Sequence, residues 1–238
     1  MNIYHPYTIF PLGDSALTVD FGNIIDEETN KKVLHLFHQL RERQIPYVTD
    51  LVPAYSSLTV YYDLQLIYNS SRTAFETFAE AIENLAEEKS KPNHQASKRI
   101  DVPVCYESKY ALDIYEIASK KNLSPEEVIA IHTSKTYRVY MLGFLPGFAY
   151  MGEVEEQIAI PRKTEPRINV DPGSVGIAGK QTGIYPLASP GGWQIIGRTP
   201  VQLFKKDDAQ PVLFEPGDEV QFYSITEDEF KDYQKRHS

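Results

Sequence analysis

Between Gln157 and Lys206 the chain carries seven basic side chains, Arg162, Lys163, Arg167, Lys180, Arg198, Lys205 and Lys206, against only Glu165 and Asp171. That segment is net +5 inside a protein whose formal charge is −9 at pH 7. Ten of the thirteen glycines fall in nearly the same stretch, from Gly143 to Gly197, with Pro146, Pro161, Pro166, Pro172, Pro186 and Pro190 among them. Two readings fit. One is turn-rich β-structure whose glycines supply positive φ. The other is a cationic pocket built from turns, where bare backbone comes close to an anionic ligand. Arg162, Arg167 and Arg198 have the planar fork that grips a carboxylate or phosphate with two hydrogen bonds, a task for which lysine is a poorer substitute. Each one alone is equally an ordinary solvated arginine.

Other residues carry chemistry only in context. His132 has a side chain that titrates near neutrality and suits proton transfer, but it also sits where a helix C-terminus would favour a histidine for its charge. Trp193, the single tryptophan, follows Pro190-Gly191-Gly192 and can wall a pocket or fill a core. Phe144, Phe148 and Tyr150 alternate through Pro146-Gly147, so an extended backbone would bring them to one face, as a lid or as a packed barrel end. Cys105, in the run DVPVCY, reads as a buried inert thiol.

Familiar motifs fail on spacing. Gly179-Lys180 is followed by Gln181, and Ser174 stands where a Walker loop needs glycine. No G-x-G-x-x-G opens a helix after a strand, no Cys/His cluster has zinc spacing, and Gly173-Ser174-Val175-Gly176 is not a nucleophile elbow. No metal site is expected.

The elements that must position these residues divide near residue 97, into 1–97 and 98–238. SALTVDF alternates as a strand, and Val33, Leu36, Phe37 and Leu40 fall at helical spacing within about Glu27 to Gln44. Tyr47 to Val52 and Leu58 to Tyr62 read as strands joined by a turn. Ser71 can cap a helix with the stripe Phe75, Phe78, Ile82 and Leu85, and a strand at Ile100 to Cys105 would complete β-α-β-β-α-β, the ferredoxin-like order of an α+β module. The polar EEKSKPNHQASKR suits a linker. Two short helical segments follow, and Ser124-Pro125-Glu126-Glu127 is a capping box with proline at the first helical position. Lys135 to Leu142 then reads as a strand, and short runs alternating with Gly/Pro turns as far as Phe222 predict a sandwich or closed barrel.

The 238 residues can bury a proper core without staples. No apolar run is long enough for a membrane span, and the acidic balance argues against nucleic acid. The start MNIYHPYTIF lacks a leader pattern and Cys105 is the only cysteine, so a cytoplasmic protein is expected.

Four strings in order, GFLPGFAYMG (143–152), IPRK-EPR (160–167), GSVGIAGKQTGIYP (173–186) and SPGGWQIIGRTP (189–200), resemble the family of the 5-oxoprolinase B subunit, also called the allophanate hydrolase subunit 1 or sporulation kinase inhibitor (KipI) family. GDSAL (13–17) and PAYSSLTVYYD (53–63) match as well, and Asp171 before Pro172 departs from the pattern. The resemblance implies an N-terminal α+β module and a C-terminal cyclophilin-like β-barrel. It implies an ATP-dependent opening of 5-oxo-L-proline to L-glutamate, carried out with a homologous C subunit and a separate A subunit. ATP, with Mg2+, would be contacted in part by those partners, and the chain alone would be inactive. On that basis Arg162, Arg167 and Arg198 would hold the substrate carboxylate or nucleotide phosphates, with Lys180, Gln181, Thr182 and Thr199 lining the same site. The amides of Gly183 and Gly192 would lie close to the ligand, and Tyr185, Trp193, Phe144 and Phe148 would wall it. His132, Lys180 and Arg198 would serve the chemistry, His132 as proton carrier. Two alternatives stay open on sequence: a regulatory protein that inhibits autophosphorylation of a histidine kinase, and a carboxyltransferase-type component of a urea carboxylase.

Overall fold

The computed structural model describes residues 7–64, 72–87 and 97–236, and the chain forms two compact units, 1–96 and 97–238. In the first, β1 (Thr8–Pro11), β2 (Ala16–Asp20), β3 (Val48–Pro53) and β4 (Ser57–Tyr62) make an antiparallel sheet in the order β1-β2-β4-β3. Helix α1 (Glu27–Arg43) starts where Asp26 accepts a hydrogen bond from the Thr29 amide, and it ends on Gln44 in the left-handed region. Its buried Val33, Leu36 and Leu40 meet Leu17, Val19, Leu58 and Val60 of the sheet in one core. Phe78, Ile82 and Leu85 of α2 (Ala74–Glu87) join that core. Ser71 lies outside the described residues. The helix instead starts at Thr73, whose hydroxyl accepts from the Glu76 amide while Glu76 accepts from the Thr73 amide. Most of the expected linker also lies outside the described residues.

One expectation is corrected here. The strand at 100–105 does not complete a ferredoxin-like module. Arg99–Cys105 (β5) pairs in parallel with Glu219–Ile225 (β13) in the second unit, so the described elements of the first run β-β-α-β-β-α. Val102, Val104 and Cys105 are fully buried there. A run of apolar residues identifies a strand without saying which sheet receives it.

The second unit is a closed barrel. After β5 come α3 (Ile114–Lys121), α4 (Pro125–Thr133), β6 (Thr136–Leu142), β7 (Ala149–Gly152), β8 (Arg167–Val170), β9 (Ser174–Ala178), β10 (Gln181–Ile184), β11 (Ser189–Gly191), β12 (Gln194–Arg198), β13 and α5 (Glu227–Arg236). The barrel order is β10-β7-β6-β13-β5-β12-β9, and β8 and β11 form a separate two-stranded ribbon. Closure pairs every barrel strand on both sides and leaves no open edge. Val139, Met151, Val175, Ile177, Ile196, Val220 and Phe222 fill a core that α3 and α4 extend through Ile114, Ile117 and Val128. The capping box at Ser124 and Glu127 forms as the sequence predicts. Helix α5 is not among the elements expected from the spacing, although Thr226 and Glu229 form a capping box at its start.

Glycine is required at one turn in particular. Gly173 has φ +82°, and a Cβ there would collide with the Thr199 carbonyl oxygen. That approach carries the hydrogen bond from the Thr199 amide to the Gly173 carbonyl, which ties the turn before β9 to the end of β12.

Candidate anion-binding site

The centre of the polar cluster is a residue without any sequence motif. Asp113, 3% exposed at the start of α3, donates its amide hydrogen to the Ile195 carbonyl at 2.8 Å and accepts the Ile195 amide on Oδ2 at 2.6 Å. It thereby acts as a short strand partner for β12. Its other oxygen, Oδ1, accepts from Lys163 Nζ at 3.1 Å and from Arg167 Nη2 at 2.5 Å. Lys163 also reaches Glu116 at 3.2 Å, and its amide donates to the Gly192 carbonyl. Burial works against the Lys163 ammonium, yet the hydrogen bonds to Asp113 and Glu116 outweigh it and hold its pKa above the ordinary lysine value. The Nη1 atom of Arg167 is buried with no acceptor; Ser189 Oγ on β11 and Gln194 Oε1 on β12 are buried without partners too.

An aromatic wall adjoins this cluster. Phe148, Val170, Ala178, Tyr185, Trp193 and Ile195 pack as a cluster separate from the barrel core. The Arg162 guanidinium lies 5.7 Å from the centre of the Trp193 ring, a cation–π distance. Burial raises the pKa of the Tyr185 phenol, opposed by the Trp193 amide and then by the positive charges of Arg162 and Arg167. Burial likewise raises Tyr150, and Arg162 opposes it. Arg162 thus lies over the aromatic surface, and the positive charge of Arg167 reaches Tyr185. Gly183 is needed for its smallness: a Cβ would stand 2.8 Å from the Ala149 carbonyl oxygen and 3.2 Å from both the Phe148 and Trp193 rings. Phe144 sits at the rim, 61% exposed, with its ring edge-on to Phe148 at 5.6 Å and Tyr185 at 6.4 Å. The backbone at Phe144 is left-handed, φ 68°, so the expected single extended face through Tyr150 does not form.

The structure brings Arg162, Arg167, Trp193, Tyr185, Phe144, Phe148, Gly183 and Gly192 into this neighbourhood and puts the remaining expected residues elsewhere. Arg198, at the end of β12, donates to the Pro172 carbonyl at 2.7 Å and to Asp171 at 3.1 Å, beside Thr199, whose hydroxyl accepts the Val201 amide. The acid that departs from the family string is thus the one that holds Arg198. Lys180 is exposed at the tip of the β9–β10 hairpin, paired with Glu156 at 3.2 Å, and Gln181 follows it. Arg162 lies over Trp193 and Arg167 is held by Asp113, whereas Lys180 pairs with Glu156 and Arg198 with Asp171.

His132 is wholly enclosed. Thr182 donates its hydroxyl hydrogen to the Gly176 carbonyl at 3.1 Å, so its oxygen accepts from His132 Nε2, also at 3.1 Å. Nδ1 of His132 then accepts from the Tyr106 hydroxyl at 2.8 Å. The ring stacks on Phe222, with centres 4.7 Å apart. Burial pushes its pKa down to about 3, so it is neutral across the physiological range and both ring nitrogens are engaged. A solvent-facing proton carrier needs neither property; the helix-end alternative comes closer, without the charge that would favour it. A cavity of about 320 Å3 opens between Tyr106, Ile129, Ser224 and Glu229, and it includes none of the expected site residues. No group of three His, Cys, Asp or Glu side chains able to hold a metal ion occurs among the described residues. No helix of the described residues is long and apolar enough to cross a membrane.

Comparison with known proteins agrees with this architecture. Residues 7–214 match the family model for the carboxyltransferase domain, subdomain C and D. The chain is 41% identical over 233 residues to the B subunit of 5-oxoprolinase from Bacillus subtilis (strain 168), covering 96% of this chain and 97% of that protein. The crystal structure of TTHA0988 superposes with a TM-score of 0.76 at 36% identity, over 88% of this chain but only 40% of that one. The Kluyveromyces lactis urea carboxylase shares the fold at 21% identity, with a TM-score of 0.75 over 95% of this chain and 22% of that chain. With identity at the level of the Bacillus subtilis protein along nearly its whole length, the chain belongs to the family of the 5-oxoprolinase B subunit.

Proposed function

We propose that the protein is the B subunit of an ATP-dependent 5-oxoprolinase, working with the A and C subunits to open 5-oxo-L-proline to L-glutamate as ATP is hydrolysed to ADP and phosphate. The end-to-end likeness to the Bacillus subtilis protein supports the family role. The observation that carries the chemistry is Arg162 over the Trp193 ring, beside a Tyr185 phenol that lies in the positive field of Arg162 and Arg167. A lactam is a stable amide, and its opening is accelerated when the carbonyl oxygen is phosphorylated first. The substrate carboxylate and the charge that develops on that oxygen both need preorganised donors in a site shielded from water. Arg162 over the tryptophan face can take a carboxylate or a phosphate, while the aromatic wall excludes water from the ring. ATP, with Mg2+, would be held by the assembly and contacted in part by the partner subunits. The longer TTHA0988 chain, of which this chain spans 40%, is consistent with further domains beside this one.

Reconstitution tests this directly. Co-expressed with candidate A and C subunits, the chain should release glutamate from 5-oxo-L-proline only when ATP and all three proteins are present; turnover by the single chain would overturn the reading. A second reading, a carboxyltransferase component of a urea carboxylase, is favoured by the name of the family model and by partial likeness to a putative urea carboxylase of Emericella nidulans, 25% identical over 162 residues. It predicts ATP-dependent carboxylation of urea when biotin carboxylase and a biotin carrier are supplied, with no glutamate release.

A further inference from the structure

We propose that Asp113 is a positioning residue: it holds Arg167 by one side of its guanidinium so that the other side, Nη1, is kept for the carboxylate of a small ligand seated against Trp193 and Tyr185. The inference rests on the anionic-substrate reading above and assigns that site a residue with no motif to mark it.

An unconstrained arginine–carboxylate pair closes with two parallel hydrogen bonds. Here the second carboxylate oxygen accepts the Ile195 amide at 2.6 Å, and the pair makes a single contact, from Arg167 Nη2 at 2.5 Å. The outcome is a buried N–H donor, Nη1, with no acceptor. Native structures rarely leave such a group unpaired unless something else supplies its partner. The Arg167 side chain retains 23% of its surface, which gives a ligand an approach to the guanidinium, with the Nη2–Oδ1 contact as the pivot on which the fork turns to meet it. Lys163 shares the same carboxylate oxygen at 3.1 Å, so two cations converge on one buried charge. Arg162, exposed over the Trp193 ring, forms no ion pair among the described residues. Asp113 therefore fixes the direction of a cation that the ligand completes.

Trp193 is the only tryptophan, 3% exposed and under Arg162, so its fluorescence reports on this site. Three probes are titrated into the full chain: 5-oxo-L-proline, cyclopentanecarboxylate (a ring with the carboxylate and no lactam) and 2-pyrrolidinone (the lactam without the carboxylate). Both carboxylates should shift the Trp193 emission saturably and 2-pyrrolidinone should not. Arg167→Met should weaken carboxylate binding at least tenfold, Asp113→Asn should weaken it to a similar degree, and the double variant should be no weaker than Arg167→Met alone. If Asp113→Asn fails to fold, Asp113→Glu keeps the charge, lengthens the arm and should weaken binding several-fold in a protein that still folds, at the cost of a lower melting temperature. Additive losses in the double variant, wild-type affinity in a folded Asp113 variant, or no response to either carboxylate would overturn the proposal. If cyclopentanecarboxylate binds through Arg167 and Asp113 while 5-oxo-L-proline does not, the substrate reading falls and the positioning role stands. If 5-oxo-L-proline binds undiminished in the Asp113 variants, the positioning role falls and the substrate reading stands.

Discussion

Replacing His132 with glutamine should flatten the acid side of the protein's stability profile by an amount that the structure fixes. In the fold the ring is fully buried, bonded through both nitrogens, and its pKa is lowered by burial to about 3, against an ordinary value of 6.5. The unfolded chain therefore binds the proton that the folded chain refuses, and stability falls as pH drops below 6.5 towards 3. At about 1.4 kcal/mol per pH unit, lowering the pH from 7.5 to 5 costs the wild-type protein about 2 kcal/mol through this residue alone. The ionisable side chains stacked or bonded to the ring are Tyr106 and Tyr137, both raised by burial, so neither titrates in that window. Carboxylates elsewhere contribute equally to both proteins and cancel in the difference. Urea unfolding followed by Trp193 emission at pH 7.5, 6.5, 5.5 and 5.0 measures the second unit specifically, since that unit holds the only tryptophan. The His132→Gln variant should be less stable at pH 7.5, because its amide cannot satisfy both Tyr106 and Thr182 in the same geometry, and should then lose about 2 kcal/mol less on acidification. Parallel stability curves for the two proteins would show that His132 is not held neutral in the fold.

Further outcomes follow from the same coordinates. Gly183→Ala would drive a methyl group to 2.8 Å from the Ala149 carbonyl oxygen and into the Phe148 and Trp193 rings, so it should cost about 1–3 kcal/mol and shift the Trp193 emission; an unchanged spectrum and melt would mean the wall is loosely packed. Arg198→Ala should lower the melting temperature and leave glutamate release in the reconstituted complex within a few-fold, because Arg198 braces the 171–173 turn; a tenfold loss of release at unchanged stability would return Arg198 to the site. Cys105 is fully buried, and burial is the leading cause of its raised pKa, so a disulfide reagent should label it only after unfolding, with rapid labelling of native protein as the contrary result.

Whether a feature is readable from sequence depends on whether its signal is local. The stripe Val33, Leu36 and Leu40 and the Ser124–Glu127 capping box lie within a few residues of their partners, and both form as their spacing implies. The capping box at Thr226 and Glu229 is equally local and marks a helix that a search ending at the last barrel strand passes over. The segment Arg99–Cys105 is visible as a strand, but its parallel partner lies some 120 residues further on, and nothing in the run names it. For the proposed site, the excess of arginine and glycine marks a segment and cannot sort its members. Arg162 lies on Trp193 and Arg167 on Asp113, while Arg198 and Lys180 pair with Asp171 and Glu156. Asp113 is invisible for the same reason: its carboxylate looks like any helix-initiating acid until the fold delivers Arg167 from 54 residues away. His132 is the converse case: its chemistry invites a catalytic role, and only the fold shows the ring enclosed and bonded through both nitrogens.

The sharpest single test is a crystal structure of the reconstituted complex soaked with 5-oxo-L-proline. Ligand density should lie against Trp193 and Tyr185 with its carboxylate on Arg162 or Arg167; density confined to the cavity beside Tyr106, Ile129 and Glu229, or to a partner protein with no contact to these arginines, would contradict the proposed site.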